Sequence, residues 1–184
     1  MGAALKFSDS IRIERPIAEV FTCISNPEWI MEWNDDVLAI ELLTSGPCGP
    51  GSQQRLILKH GDNKLEVIET TIEFTVPTLM ASRSEYIRFI PPTPSEIQAQ
   101  GLPRINYRYE LDNEFKTIFG KTRPIDFTVI TLTREDDRTT IFKIIKETEI
   151  GGFARVLAKT ARLFQRNPMR KQLKLLKARI EGAD

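Results

Sequence analysis

Ile11-Arg12-Ile13-Glu14-Arg15-Pro16-Ile17-Ala18-Glu19-Val20-Phe21-Thr22-Cys23-Ile24-Ser25 is where the periodicity of the chain changes. Phe7, Ile11 and Ile13 fall on alternate positions of Leu5–Arg15, which predicts a half-buried strand. Pro16 ends it, and proline suits the first turn of a following helix, where its missing N–H costs nothing. Ile17, Val20, Phe21 and Ile24 then recur at spacings of three and four, so Pro16–Ser25 reads as a short amphipathic helix. Asn26-Pro27 interrupts the chain, and Glu28–Trp33 reads as a second short helix carrying Trp29, Ile30 and Trp33.

Beyond this point the pattern turns to strands. Val37–Leu43 is apolar, and Ser45–Ser52, with its glycines and prolines, is a loop. Gln54–His60 and Lys64–Phe74 flank a Gly61-Asp62-Asn63 turn and predict a hairpin. Thr78–Tyr86 follows Pro77 as a further strand. Ile87–Thr122 is less regular: Pro91-Pro92-Thr93-Pro94 marks a connection, and the alternation of Ile105, Tyr107, Tyr109 and Leu111 predicts a strand over Arg104–Leu111. Ile125–Arg134 and Thr139–Ile150 flank the Glu135-Asp136-Asp137-Arg138 turn and close the sheet. Gly151-Gly152 then leads into a long helix, roughly Phe153 to Glu181. Its first apolar stripe is Phe153, Val156, Leu157, Ala161 and Phe164, and its second is Met169, Leu173, Leu176 and Ile180. Pro168 cannot donate to the carbonyl of Phe164, so a kink is expected between the stripes.

A strand, two short helices, a run of antiparallel strands and a long C-terminal helix define an α+β chain whose curved sheet grips that helix. This order resembles the helix-grip (START-like, Bet v 1-like, SRPBCC) superfamily, and within it the polyketide cyclase/dehydrase and lipid-transport branch. The resemblance is carried by Ile13-Glu14-Arg15-Pro16, Val20-Phe21, Asn26-Pro27, Trp33, the Gly46-Pro47-Cys48-Gly49-Pro50-Gly51 turn and Gly151-Gly152. It implies one domain over residues 1–184, with an atypical insertion at about 87–122. It also implies a cavity between sheet and C-terminal helix that takes an apolar small molecule: a lipid, a polyketide or another aromatic metabolite. Phe153, Val156, Leu157 and Phe164 of the helix, Tyr107 and Tyr109 of the expected strand, and Trp33 beside the short helices are the candidate wall. A tyrosine hydroxyl there would orient a polar ligand head.

Composition narrows the alternatives. The 184 residues are 41% hydrophobic and 28% charged, as expected of a globular domain with a sizeable core. No run approaches a bilayer span, the N-terminus lacks an apolar signal core, and Lys6 stands where a myristoylation motif needs Ser or Thr. With two cysteines and no sequon, the expected setting is the reducing cytoplasm. Net charge is +1 but unevenly placed. Phe153–Asp184 carries 9 Lys/Arg against 2 Asp/Glu, while the preceding residues carry 17 against 23. A solvated outer helix face balanced by an acidic sheet surface is the preferred reading. Transient membrane-surface contact during ligand transfer is the alternative. Aromatic residues are not interleaved with the basic run, which argues against nucleic acid.

No catalytic or metal constellation emerges. His60 is the one histidine, in a predicted turn, so a Ser-His-Asp or Cys-His site would have to use it. Zinc would need further ligands at matched spacing. Cys23 reads as a small buried hydrophobe and Cys48 as an exposed thiol with no activating partner. Gly46–Gly51 lacks the Gly-Lys-Ser/Thr ending of a phosphate loop, and Glu135-Asp136-Asp137 reads as a solvated turn. A carrier or sensor without cofactor is therefore the leading expectation. A metal-free cyclase/dehydratase using oriented Tyr, Arg or carboxylate groups is the second, and a protein-interaction module with a filled core the third.

Overall fold

The computed structural model describes residues 3–60, 63–103, 105–120, 123–150 and 169–182. Its strands are β1 (Ala3–Ile13), β2 (Val37–Leu42), β3 (Gln53–His60), β4 (Asn63–Thr75), β5 (Leu79–Ile90), β6 (Ile125–Asp136) and β7 (Thr139–Ile150). Its helices are α1 (Ile17–Ser25), α2 (Pro27–Trp33), α3 (Pro94–Ala99), α4 (Tyr107–Phe119) and α5 (Met169–Glu181). The strands form one antiparallel sheet in the order β1-β7-β6-β5-β4-β3-β2. Every neighbouring pair from β2 to β7 is consecutive in sequence, while β1 crosses to lie beside β7. Irregularities at Val37/Ala39, Glu66/Val67, Thr71/Glu73 and Arg134/Asp136 break the registers. Each such bulge bends its strand and raises the local twist, which curves the sheet around a concave face.

The helical entry after β1 forms as its residues dictate. The Pro16 carbonyl accepts from the N–H groups of Glu19 and Val20. The Asn26 side chain caps α2 by accepting from Glu28 N–H at 2.8 Å, with Pro27 in the first helical position. Ile17, Val20, Phe21 and Ile24 point into a core shared with Ile13, Leu132 and Phe142 of the sheet. Leu173, Leu176 and Ile180 of α5 complete that core, in the phase read for the second stripe. Polar ties hold α5 against the end of β1: Glu14 N–H donates to Glu181 Oε1 at 2.6 Å, and Lys177 Nζ to the Arg12 carbonyl at 2.7 Å. Phe153, Val156, Leu157 and Phe164, with the kink expected at Pro168, lie outside the described residues.

Where a strand over Arg104–Leu111 is expected, Tyr107–Phe119 forms a helix. Asn106 caps α4 through its side chain, which accepts from Tyr109 N–H at 3.3 Å. Gly120 ends the helix at φ 80°, a conformation that glycine adopts without a Cβ penalty. The stripe that decides is Leu111, Phe115 and Phe119, spaced by four, which packs on Leu56, Leu65, Val67 and Phe89 as a second core. The alternating tyrosines masked it, because alternate residues of a helix's first turn also read as one face of a strand. Ahead of α4, Thr93 and Glu96 form a capping box that starts α3, and Glu96 pairs with Lys64 of β4. Lys64 and the Thr93 contacts hold the Glu96 carboxyl down at about 2.

No described helix is long and apolar enough to cross a membrane.

Candidate functional site

Between the two cores the concave face of the sheet is not filled. Two lobes, of about 200 and 250 Å³, lie between the sheet and α2; the first also meets the start of α5, and the second the loop between β2 and β3. Both are lined by Ile24, Ile30, Gln54, Glu69, Met80 and Ser82, so they meet at those side chains. The lining follows the period of two along each strand. Met80, Ser82, Ser84 and Tyr86 project from β5, Asp126, Thr128 and Ile130 from β6, and Phe142, Ile144 and Lys146 from β7.

The apolar wall carries a polar row. Gln54, Glu69, Ser84 and Asp126 are successive cross-strand partners from β3 to β6. Glu69 Oε1 accepts from Gln54 Nε2 at 2.7 Å, and Oε2 accepts from Ser82 Oγ at 3.0 Å and Ser84 Oγ at 3.1 Å. Asp126 is 1% exposed. Its Oδ2 accepts from Tyr86 Oη at 2.8 Å and lies 2.6 Å from Lys146 Nζ. Its Oδ1 and the buried Trp33 Nε1 have no hydrogen-bond partner among the described residues.

Electrostatics fixes the protonation of two members. Burial pushes the Tyr86 hydroxyl up to about 12, and the field of Lys146 only partly offsets it. For Lys146, burial works against the charge, but facing Tyr86, Asp126 and Glu69 outweighs it and holds the ammonium above its ordinary value. Lys146 is thus a charged donor rather than a free amine ready to attack a carbonyl. Tyr86 is a neutral donor. Together they can orient a polar head, or hold a proton at a defined place, inside an otherwise greasy pocket.

Of the residues expected at the wall, Trp33 does line the first lobe. Tyr107 and Tyr109 do not reach it. Tyr107 donates to the Pro103 carbonyl at 2.7 Å and lines a separate groove beside α3, and Tyr109 is 62% exposed. Tyr86, at the end of the strand expected over Thr78–Tyr86, is the tyrosine that enters the cavity. The signal was present in its phase: Ser82, Ser84 and Tyr86 share one face of β5, and Lys146 shares a face of β7 with Phe142 and Ile144. Polar groups in phase with buried apolar ones mark a strand that faces a pocket instead of a filled core.

His60 is exposed at the end of β3, with its ring 5.5 Å from that of Phe89 and 6.1 Å from that of Phe119. Cys23 is buried, and burial raises its thiol above the ordinary value. Cys48 is exposed. Among the described residues no group of three His, Cys, Asp or Glu gathers as metal ligands. The basic face of α5 meets carboxylates: Arg170 with Asp9, Lys171 with Asp35, and Arg179 with Glu32.

No family model matches the sequence, and no curated protein matches it. Solved structures do match. A START superfamily protein from Mycobacterium smegmatis superposes with a TM-score of 0.62 at 12% identity, over 97% of this chain and 99% of that one. A conserved protein from Geobacillus kaustophilus gives 0.62 at 15% identity over 97% of each chain. Norcoclaurine synthase from Thalictrum flavum, in complex with dopamine and hydroxybenzaldehyde, gives 0.56 at 12% identity over 100% of this chain and 90% of that one. The chain therefore has the helix-grip fold of the START-like and Bet v 1-like proteins.

Proposed function

We propose that this protein binds one small, largely apolar molecule in the cavity on the concave face of the sheet, as a carrier or sensor in the cytoplasm. The observation that carries the reading is the pairing of an aliphatic and aromatic wall with the Gln54-Glu69-Ser84-Asp126 row. A core packed only for stability has no use for the buried Asp126 carboxylate beside open space, since it costs desolvation. A ligand whose polar end meets that row and whose apolar body meets Leu56, Leu58, Val67 and Ile130 uses both. The synthase of the same fold holding dopamine and hydroxybenzaldehyde supports an aromatic occupant. The cavity also weighs against an interaction module with a filled core, and the carboxylates opposite α5 weigh against a basic face free for membranes.

Native mass spectrometry of freshly purified protein, before and after organic extraction, tests the reading. A defined mass adduct lost on extraction is expected. Protein that is always empty, with tryptophan fluorescence unmoved by fatty acids, sterols, quinones and polyketides, would overturn it.

The contact of Tyr86, Asp126 and Lys146 favours one second reading: a cyclase/dehydratase that moves protons on a folded polyketide. It requires turnover of a poly-β-keto substrate that falls in Tyr86→Phe and Asp126→Asn. Turnover indifferent to both removes it.

A further inference from the structure

We infer that the cavity selects a cationic amine with an apolar group on either side of its nitrogen, bound where the two lobes meet at Glu69. The inference rests on the cavity-binding reading and deepens it. Among the described residues lining either lobe, the charged side chains are Glu69, Asp126 and Lys146, two anions against one cation. Lys146 forms its ion pair with Asp126 at 2.6 Å, and the charge of Glu69 reaches it only without an ion pair. Glu69 receives three hydrogen bonds, all from the neutral groups of Gln54, Ser82 and Ser84. Neutral donors stabilise a carboxylate but leave its charge, and at half-buried Glu69 that charge favours a cation.

Hydrogen-bond capacity points the same way. Ser82 and Ser84 each spend their proton on Glu69 and keep their lone pairs, and Gln54 spends one N–H and keeps the other beside its carbonyl. With the unmatched Oδ1 of Asp126, the row holds a surplus of acceptors. A head that donates and carries positive charge matches it, whereas a carboxylate or phosphate would meet Glu69 with like charge. Position sets the shape of the ligand. Glu69, Gln54 and Ser82 line both lobes, with Leu56 and Phe142 on one side and Pro27 and Leu42 on the other. A nitrogen at Glu69 thus has an apolar space in each direction.

Dibenzylamine and dibenzyl ether differ at the central atom and in its charge, so they are the probes, titrated calorimetrically into the extracted full chain at neutral pH. The amine should bind at least about tenfold more tightly than the ether. Glu69→Gln should bring that ratio close to unity, and Lys146→Met, which frees the Asp126 charge, should raise it. Equal binding of the two probes to the unaltered protein, or a ratio preserved in Glu69→Gln, would overturn the inference. Should Glu69→Gln fail to fold by circular dichroism, a Lys146→Met ratio that is unchanged or lower overturns it instead. If neither probe binds while a neutral or acidic molecule is extracted from the protein, the amine inference falls and the cavity-binding reading stands. If the protein is empty and unresponsive throughout, both fall.

Discussion

Replacing Asp126 by Asn removes one charge from the cavity wall and leaves its shape intact. The amide carbonyl can still accept from Tyr86, so the change isolates the ion pair with Lys146. Asp126 is 1% exposed, which places one partner fully out of bulk water, while the Lys146 side chain keeps 37% of its surface facing the cavities that it lines. Breaking a fully buried pair costs about 3–5 kcal/mol, because the surviving charge is stranded. The open side of Lys146 lets solvent screen that charge, which lowers the expectation to about 2–3 kcal/mol. For a chain of this length that is a fall in Tm of about 5–10 °C. The clean measurement is a double-mutant cycle with Lys146→Met, read by urea unfolding at neutral pH with Trp29 and Trp33 as fluorescent reporters. A coupling of about 2 kcal/mol is expected between the two sites. Coupling below about 0.5 kcal/mol would show that the charges do not feel each other through a dry wall, and the electrostatic account of the site would fail.

Three further outcomes are expected. Tyr86 has a folded-state value of about 12 against an ordinary 10.0, so its contribution to stability is complete below that ordinary value and disappears as pH rises towards about 12. That amounts to a loss of about 2–3 kcal/mol, and Tyr86→Phe should flatten it in denaturant titrations run across this window. Lys146 is raised too and titrates in the same sense, so some alkaline loss persists; curves that superimpose for both proteins would refute the assignment. Phe119 is 6% exposed and packs its ring against those of Phe115 and Tyr86, so Phe119→Ala should cost about 3–4 kcal/mol. Hydrogen exchange should accelerate first in α4, and unchanged protection there would contradict the second core. Met80→Trp, at the meeting of the lobes, should cut ligand uptake in native mass spectra by about tenfold while costing less than about 1 kcal/mol, because it fills space instead of overpacking it. Undiminished uptake would place the ligand elsewhere.

Periodicity carries the strand-helix-helix opening, the hairpins and the second stripe of the C-terminal helix, since each is written in local spacing. Ile17, Val20, Phe21 and Ile24 bury the face that their spacing predicts. Between β5 and β6 the local spacing points the other way: Tyr107 and Tyr109 alternate, and the stripe that packs, Leu111, Phe115 and Phe119, begins where that alternation stops. The cavity was out of reach for a different reason. Gln54, Glu69, Ser84 and Asp126 lie in four strands, and only the registers between them bring the four into one row. A single strand shows which residues share a face, but not which face is left unfilled.

The seating of β1 beside β7 has a consequence for how the chain is made. β2 to β6 can pair one after another as they emerge, each with the strand just before it. β1 has no partner until β7 exists, since Ala3 pairs with Ile150 and Ile13 with Thr140. The face of α1 likewise waits for Leu173, Leu176 and Ile180 of α5. During synthesis β1 and α1 therefore leave the ribosome ahead of their partners and remain an unpaired, partly apolar strand and helix while most of the sheet assembles behind them. A nascent chain paused before β7 should bind holdase chaperones through these opening residues and release them once α5 has docked.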